Sequence, residues 1–164
     1  MSGGKKAQAA SKERLRLWLK LLKASRLMEA DLRERFRSQF DTTLPRFDVM
    51  AALSRKPDGL RMSELSAELK VSNGNVTGIV DRLVEDGQVV RVPVDHDRRA
   101  MIVRLTATGR DIFDLLAAEH EAWIDGLLGG IAPAEAAELG RALDRVSAEA
   151  AAHMQQARKP GTDR

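Results

Sequence analysis

The chain contains no cysteine. That absence excludes disulfides, thiolate metal sites, cysteine nucleophiles and thiol-based redox sensing. No apolar run approaches the roughly 20 residues that a membrane-spanning helix needs, so no membrane partner is expected. The first ten residues, Met-Ser-Gly-Gly-Lys-Lys-Ala-Gln-Ala-Ala, lack the apolar core of a secretory signal. A cytoplasmic location is the expectation. The histidines His96, His120 and His153 are scattered. No Ser/His/Asp order, metal-ligand cluster or phosphate-binding glycine loop accompanies them. Glu119-His120-Glu121 sets three potential ligands side by side, but consecutive helical residues face different ways. The sequence therefore predicts no catalytic residue, no metal and no cofactor, and it argues against an enzyme.

What is present is an ordinary globular balance: 164 residues, 43% hydrophobic, 31% charged, net charge +3. The length suits one domain, or a small domain with a dimerisation element. The basic excess is compatible with nucleic acid. It is small for a non-specific architectural DNA-binding protein, which is the alternative reading. A protein-interaction module that binds no DNA is a further one.

Residues 1–10 read as a flexible tail. A long helix is predicted from Ser11, with Leu15, Trp18, Leu19 and Leu22 on one stripe and Leu21, Met28, Leu32 and Phe36 on another. After a break at 41–44, Pro45 suits a first helical position, and Phe47, Val49, Met50 and Leu53 give a short helix. Lys56-Pro57-Asp58-Gly59 is a turn. Ser63 is a capping candidate for a helix containing Leu65 and Leu69, Lys70-Val71 is the connection, and Ser72 caps the next helix. Gly87 stops that helix. An apolar run from Val89 to Val94, a charged tip and a second run to Leu105 form a hairpin. Thr106 opens another long helix, Gly129-Gly130 ends it, and Pro133 begins the last, with Leu139, Leu143, Val146 and Ala150 as a stripe. Residues 158–164 read as a second tail.

The predicted fold is thus mainly α with a small β-hairpin wing. A winged helix-turn-helix over residues 45–105 sits between dimerisation helices at 11–44 and 106–157. Exposed apolar stripes on the terminal helices need burial, either on the same chain or across a two-fold axis in a homodimer. The dimer also matches palindromic DNA.

The helix after Ser72 is the candidate recognition helix. With Val76, Ile79, Val80, Leu83 and Val84 buried, Gly74, Gly78, Asp81 and Glu85 point outward. Each outward glycine costs about 1 kcal/mol relative to alanine, which close approach to a DNA groove explains. Asn73 and Asn75 can pair with base edges, and Ser72 and Thr77 suit phosphate oxygens. The alternative is a capped, turn-prone helix start. Outward Asp81 and Glu85 oppose phosphates unless they pair, with Arg82 or with arginines of the wing. At the wing, Arg98 and Arg99 suit a narrow minor groove and Asp97 can hold one of them extended. Arg91 and Arg104 on the hairpin strands are weaker phosphate candidates.

At this point the chain resembles the MarR family of bacterial winged-helix regulators. The resemblance rests on Asp97-x-Arg99, on Leu105-Thr106-x-x-Gly109, and on Val76-Thr77-x-x-Val80-Asp81-Arg82-Leu83 with Gly87. It implies a homodimer that binds a pseudo-palindromic double-stranded operator, usually as a repressor, and that a small aromatic effector releases. It also implies a minor-groove role for Arg99, support from Asp97, and Arg82 as partner of the wing aspartates. The stretch from Leu15 to Leu22, with Thr43 to Val49, is similar to a subgroup whose effectors are hydroxycinnamoyl-CoA thioesters. An effector, such a thioester or an aromatic carboxylate, is expected between the first helix, the Pro45 helix and the helix after the wing. Trp18, Phe47 and Met50 are its candidate walls. Arg16, Lys20, Lys23 and Arg46 are its candidate cations.

Overall fold

The computed structural model describes residues 3–94 and 97–158, with the backbone alone for residues 3–7, 73, 94, 97–100 and 157–158. The order is α1 (Gly3–Phe40), α2 (Leu44–Ser54), β1 (Leu60–Arg61), α3 (Met62–Leu69), α4 (Asn73–Glu85), β2 (Val89–Val94), β3 (Asp97–Leu105), α5 (Ala107–Leu128) and α6 (Pro133–Arg158). The strands form an antiparallel sheet in the order β1-β3-β2. Two compact units divide at Trp123/Ile124, the second comprising the end of α5 and α6. Among the described residues no helix is long and apolar enough to cross a membrane.

α1 begins at Gly3, earlier than the expected start at Ser11. Its two stripes have different fates. Leu32 and Phe36 are buried, whereas Leu15, Trp18, Leu19 and Leu27 are each more than half exposed. α2 starts as expected: Thr43 is the N-cap and its Oγ1 accepts from the Arg46 amide at 3.4 Å. α3 departs from expectation. Its N-cap is Arg61, not Ser63, and the Arg61 amide donates to the Glu64 carboxylate at 2.7 Å. The preceding Leu60–Arg61 pairs with Val103 and Ile102. β1 therefore fixes the chain up to Arg61 and moves the helix start to Met62, two residues ahead of where a Ser63 cap would put it. A two-residue strand has no alternation for periodicity to detect.

The winged-helix core is one cluster from α2, α3, α4 and the sheet, with Val49, Met50, Leu53, Leu65, Val76, Val80, Leu83 and Val103 nearly inaccessible. Burying such side chains is worth about 1.5–3 kcal/mol each before entropy is charged. The register of β2 against β3 (Val89 opposite Leu105, Val92 opposite Ile102) turns Val89, Val103 and Leu105 into this core.

The junction of wing and α5 is pinned by hydrogen bonds. Gly87 takes φ +69° and ends α4. The Gln88 amide donates back to Leu83 O at 2.9 Å. Thr106 Oγ1 donates to Gly87 O at 2.7 Å and accepts from the Gly109 amide at 2.9 Å. The Thr106 amide donates to Gln88 O at 3.1 Å. Gly109 lies so near that chain that a Cβ there would sit 1.8 Å from Gln88 O. This is the physical content of the Leu105-Thr106-x-x-Gly109 pattern.

Candidate nucleic-acid interface

α4 presents the face that the sequence predicts. Val76, Val80 and Leu83 are fully buried. Ser72, Gly74, Asn75, Thr77, Gly78 and Arg82 are exposed. A Cβ at Gly74 or Gly78 would meet nothing within 4 Å, so no packing among the described residues explains either glycine. Ser72 occupies the N-cap, but its hydroxyl makes no capping bond. The side chain of Asn73 lies outside the described residues.

The outward carboxylate of Asp81 is neutralised. Its partner is Arg91 of β2, with Nη2 2.5 Å from Oδ1. The pair ties α4 to the wing and engages Arg91, a residue expected to meet phosphate. The pairing expected between Arg82 and the wing aspartates involves the side chains of Asp95 and Asp97, which lie outside the described residues. So do the side chains of Arg98 and Arg99, although the backbone of both belongs to β3.

The candidate effector residues are not brought together. Met50 is 1% exposed in the winged-helix core, and Phe47 is buried against Phe36 with ring centroids 4.9 Å apart. Trp18 is 57% exposed and lies 18 residues before Phe36 on the same helix, about 27 Å along the axis at 1.5 Å per residue. Arg16, Lys20 and Lys23 are exposed on that same half of α1, and Arg16 pairs with Glu13. Arg46 reaches the other way: its Nη2 bonds Asp86 and, at 3.3 Å, Gln88 Oε1. Residue type and helical spacing could not tell core packing and ion pairing from a ligand wall.

The elements named for the effector nevertheless enclose a cavity. It measures about 510 Å³ and is lined by Glu29, Leu32 and Arg33 of α1, Pro45 and Asp48 of α2, Asn75 and Ile79 of α4, and His120 of α5. Arg33 Nη2 bonds Glu29 at 3.0 Å. His120 packs on Phe47 at 4.8 Å and Phe36 at 6.0 Å, beside Trp123 and Phe113. Sequence reasoning weighed His120 only as a metal ligand and missed it as a cavity wall. Among the described residues no group of three metal-ligating side chains occurs.

Desolvation holds the His120 imidazole below its ordinary value of 6.5, an effect that nearby Asp48 opposes. Desolvation also raises Asp48 above 3.8, against the pull of His120. A lowered histidine contributes stability that is present above pH 6.5. It is lost as pH falls, because the unfolded chain takes the proton first. The raised Asp48 has the opposite sign, losing stability as pH rises through its own higher value. His120→Phe is expected to retain the ring packing and to flatten the fall in Tm as pH drops below about 6.5. An unchanged pH profile by circular dichroism would remove His120 as its source.

Comparison with known proteins then decides the family. The MarR family model matches residues 40–100. The crystal structure of a MarR family transcriptional regulator from Silicibacter pomeroyi is 34% identical with TM-score 0.72, and the match covers 85% of this chain and 96% of that one. The chain belongs to the MarR family. A mutant MarR from Escherichia coli, solved in complex with operator DNA, is 27% identical with TM-score 0.71, covering 82% of this chain and 95% of that one. The transcriptional activatory protein BadR of Rhodopseudomonas palustris is 38% identical over 77 residues, 46% of this chain and 44% of BadR. The chain spans about half the length of the curated relatives it matches. These MarR-family relatives are regulators of transcription, not enzymes.

Proposed function

We propose that this MarR-family chain is a sequence-specific, ligand-responsive DNA-binding regulator. The carrying observation is the bare face of α4, where Gly74 and Gly78 meet nothing among the described residues and stand beside exposed Asn75, Thr77 and Arg82. α4 enters the major groove with Asn75 at base edges, and the wing carries Arg98 and Arg99 to the minor groove. The E. coli relative in complex with operator DNA supports this reading. Residues 45–105 form the DNA-binding region, and the flanking helices join two copies. The exposed Leu15, Trp18 and Leu19 of α1, and by themselves Leu139, Leu143 and Val146 of α6, support such a homodimer. On a pseudo-palindromic operator it acts as a repressor.

The effector is a small aromatic carboxylate or its CoA thioester, of the hydroxycinnamoyl kind, seated in the cavity between α1, α2, α4 and α5. Asn75 and Ile79 line both that cavity and the cleft on the DNA-facing side of α4. A ligand that fits only one setting of these side chains changes DNA affinity by that preference.

The test is anisotropy binding to duplex from the protein's own promoter against a scrambled duplex, over a salt series, with and without aromatic acids and hydroxycinnamoyl-CoA. Preferential binding released by one compound is expected. Equal binding to both duplexes would favour an architectural protein, and no binding would overturn the DNA reading. Asn75→Ala is expected to cut discrimination between operator variants by ~1–3 kcal/mol. Uniform weakening on every duplex would instead place Asn75 off the bases.

A further inference from the structure

The cavity between α1, α2, α4 and α5 carries a charge pattern that narrows what it can hold. Four ionisable side chains face it: Glu29 and Arg33 of α1, Asp48 of α2 and His120 of α5, while α4 contributes only Asn75 and Ile79. Glu29 and Arg33 pair with each other at 3.0 Å and cancel. His120 is uncharged at pH 8, because its ring lies against Phe36 and Phe47 and desolvation disfavours the proton. Asp48 makes no hydrogen bond or ion pair among the described residues. Solvent still reaches it, so it is ionised at that pH. The lining therefore carries one net negative charge, and that charge sits on Asp48. Most of the remaining wall is apolar, with Leu32, Leu44, Leu69, Val71 and Ile79.

We propose that this cavity recognises an uncharged aryl-acyl group, an ester or thioester, and that Asp48 excludes the corresponding free acid. The cube root of its 510 Å³ is about 8 Å, so a carboxylate anywhere inside lies within the screening length of Asp48, roughly 10 Å at 0.1 M salt. A free acid would hold its charge beside that carboxylate with no unpaired cation to meet it. The ester brings no such charge. A hydroxyl on its ring can donate to Asp48, an acceptor that nothing in the described chain occupies. An ammonium would match the charge, but it would exchange water for apolar walls, and one solvent-exposed carboxylate does not offset that loss. Arg33, Leu44, Pro45, Asn75 and Ile79 also line a second cavity, of about 410 Å³, which leaves room for the esterified end. This rests on the effector reading above and chooses between its two ligand classes.

The experiment is titration calorimetry at pH 8 without DNA, using hydroxycinnamate, its methyl ester, hydroxycinnamoyl-CoA and the amine of the same shape. Wild type is expected to bind the ester and the thioester at least about tenfold tighter than the free acid. Asp48→Asn is expected to gain about tenfold for the acid and nothing for the ester. Asp48→Glu keeps the charge and is expected to go on excluding the acid. Equal binding of acid and ester by wild type would overturn the proposal while leaving the cavity as the effector site. A gain by Asp48→Asn for every probe alike would also overturn it, because charge is then not what selects. Tighter binding of the amine than of the ester would overturn the preference for an uncharged group. Should Asp48→Asn fail to fold by circular dichroism, the wild-type order of acid, ester and amine decides alone. If no probe binds wild type or either variant, the effector reading itself falls, and the choice between its ligand classes falls with it.

Discussion

Gly109→Ala is expected to destabilise the protein by about 2–4 kcal/mol, from overpacking and lost hydrogen bonds together. The added Cβ would sit 1.8 Å from Gln88 O and 2.7 Å from Gln88 C, both backbone atoms that cannot swing aside. Either α5 shifts away from Gly87–Gln88 or the wing shifts away from α5. Both routes stretch the Thr106 bonds to Gly87 O and Gln88 O. The small gain in helix propensity from alanine, about 1 kcal/mol, does not offset this. At about 2–4 °C per kcal/mol for a chain of this size, Tm should fall by roughly 5–15 °C. A Tm within a degree of wild type would mean that the close approach is not a constraint.

Gly78 is expected to behave in the opposite way. Nothing lies within 4 Å of its Cβ position, so alanine should gain about 1 kcal/mol of helix propensity and raise Tm by about 2–4 °C. On the proposed reading the same methyl stands where the groove comes close, so DNA binding should weaken while stability rises. Gly78→Leu carries this further. A long side chain on that face holds α4 off the bases and should cost at least about 3 kcal/mol, a hundredfold or more in Kd. Melting temperature and anisotropy on the same samples separate the two effects. A leucine variant that binds normally would remove this face of α4 from the interface. If the leucine variant loses binding while the alanine variant gains stability, Gly78 is a residue kept against folding stability for the sake of contact with another molecule.

Much of this was legible beforehand because the signals are local. The 3.6-residue spacing of Val76, Val80 and Leu83 defines a buried face by itself, so the outward glycines followed without coordinates. Gly87 and Thr106 mark helix boundaries through backbone geometry and hydroxyl chemistry that need no distant partner. β1 was not legible, since two residues have no period and their strand character comes entirely from pairing with Ile102 and Val103. Residues 3–10 of α1 were not legible either, because glycine, lysine, glutamine and alanine carry no apolar stripe to announce a helix.

The effector site shows the same division more sharply. The elements named for it line a cavity together with α4, but the residues were chosen by type. Phe47 and Met50 are large and apolar, and so are the residues that any core consumes first. Trp18 stands about 27 Å along α1 from Phe36, away from that cavity's lining. Asp48 and His120 are 72 positions apart, and only the packing of α2 against α5 sets their charges in reach of one another.

What the sequence alone determined was the order of the helices and the hairpin, the outward face of α4 with its two glycines, and the family. Each depends on periodicity, capping or a short motif, which act over one or two turns of chain. Tertiary structure alone decided which charges neutralise which. Arg91 rather than Arg82 covers Asp81, and Arg46 pairs with Asp86, 40 positions away. Ion pairing depends on distance through space, and no spacing along the chain encodes it.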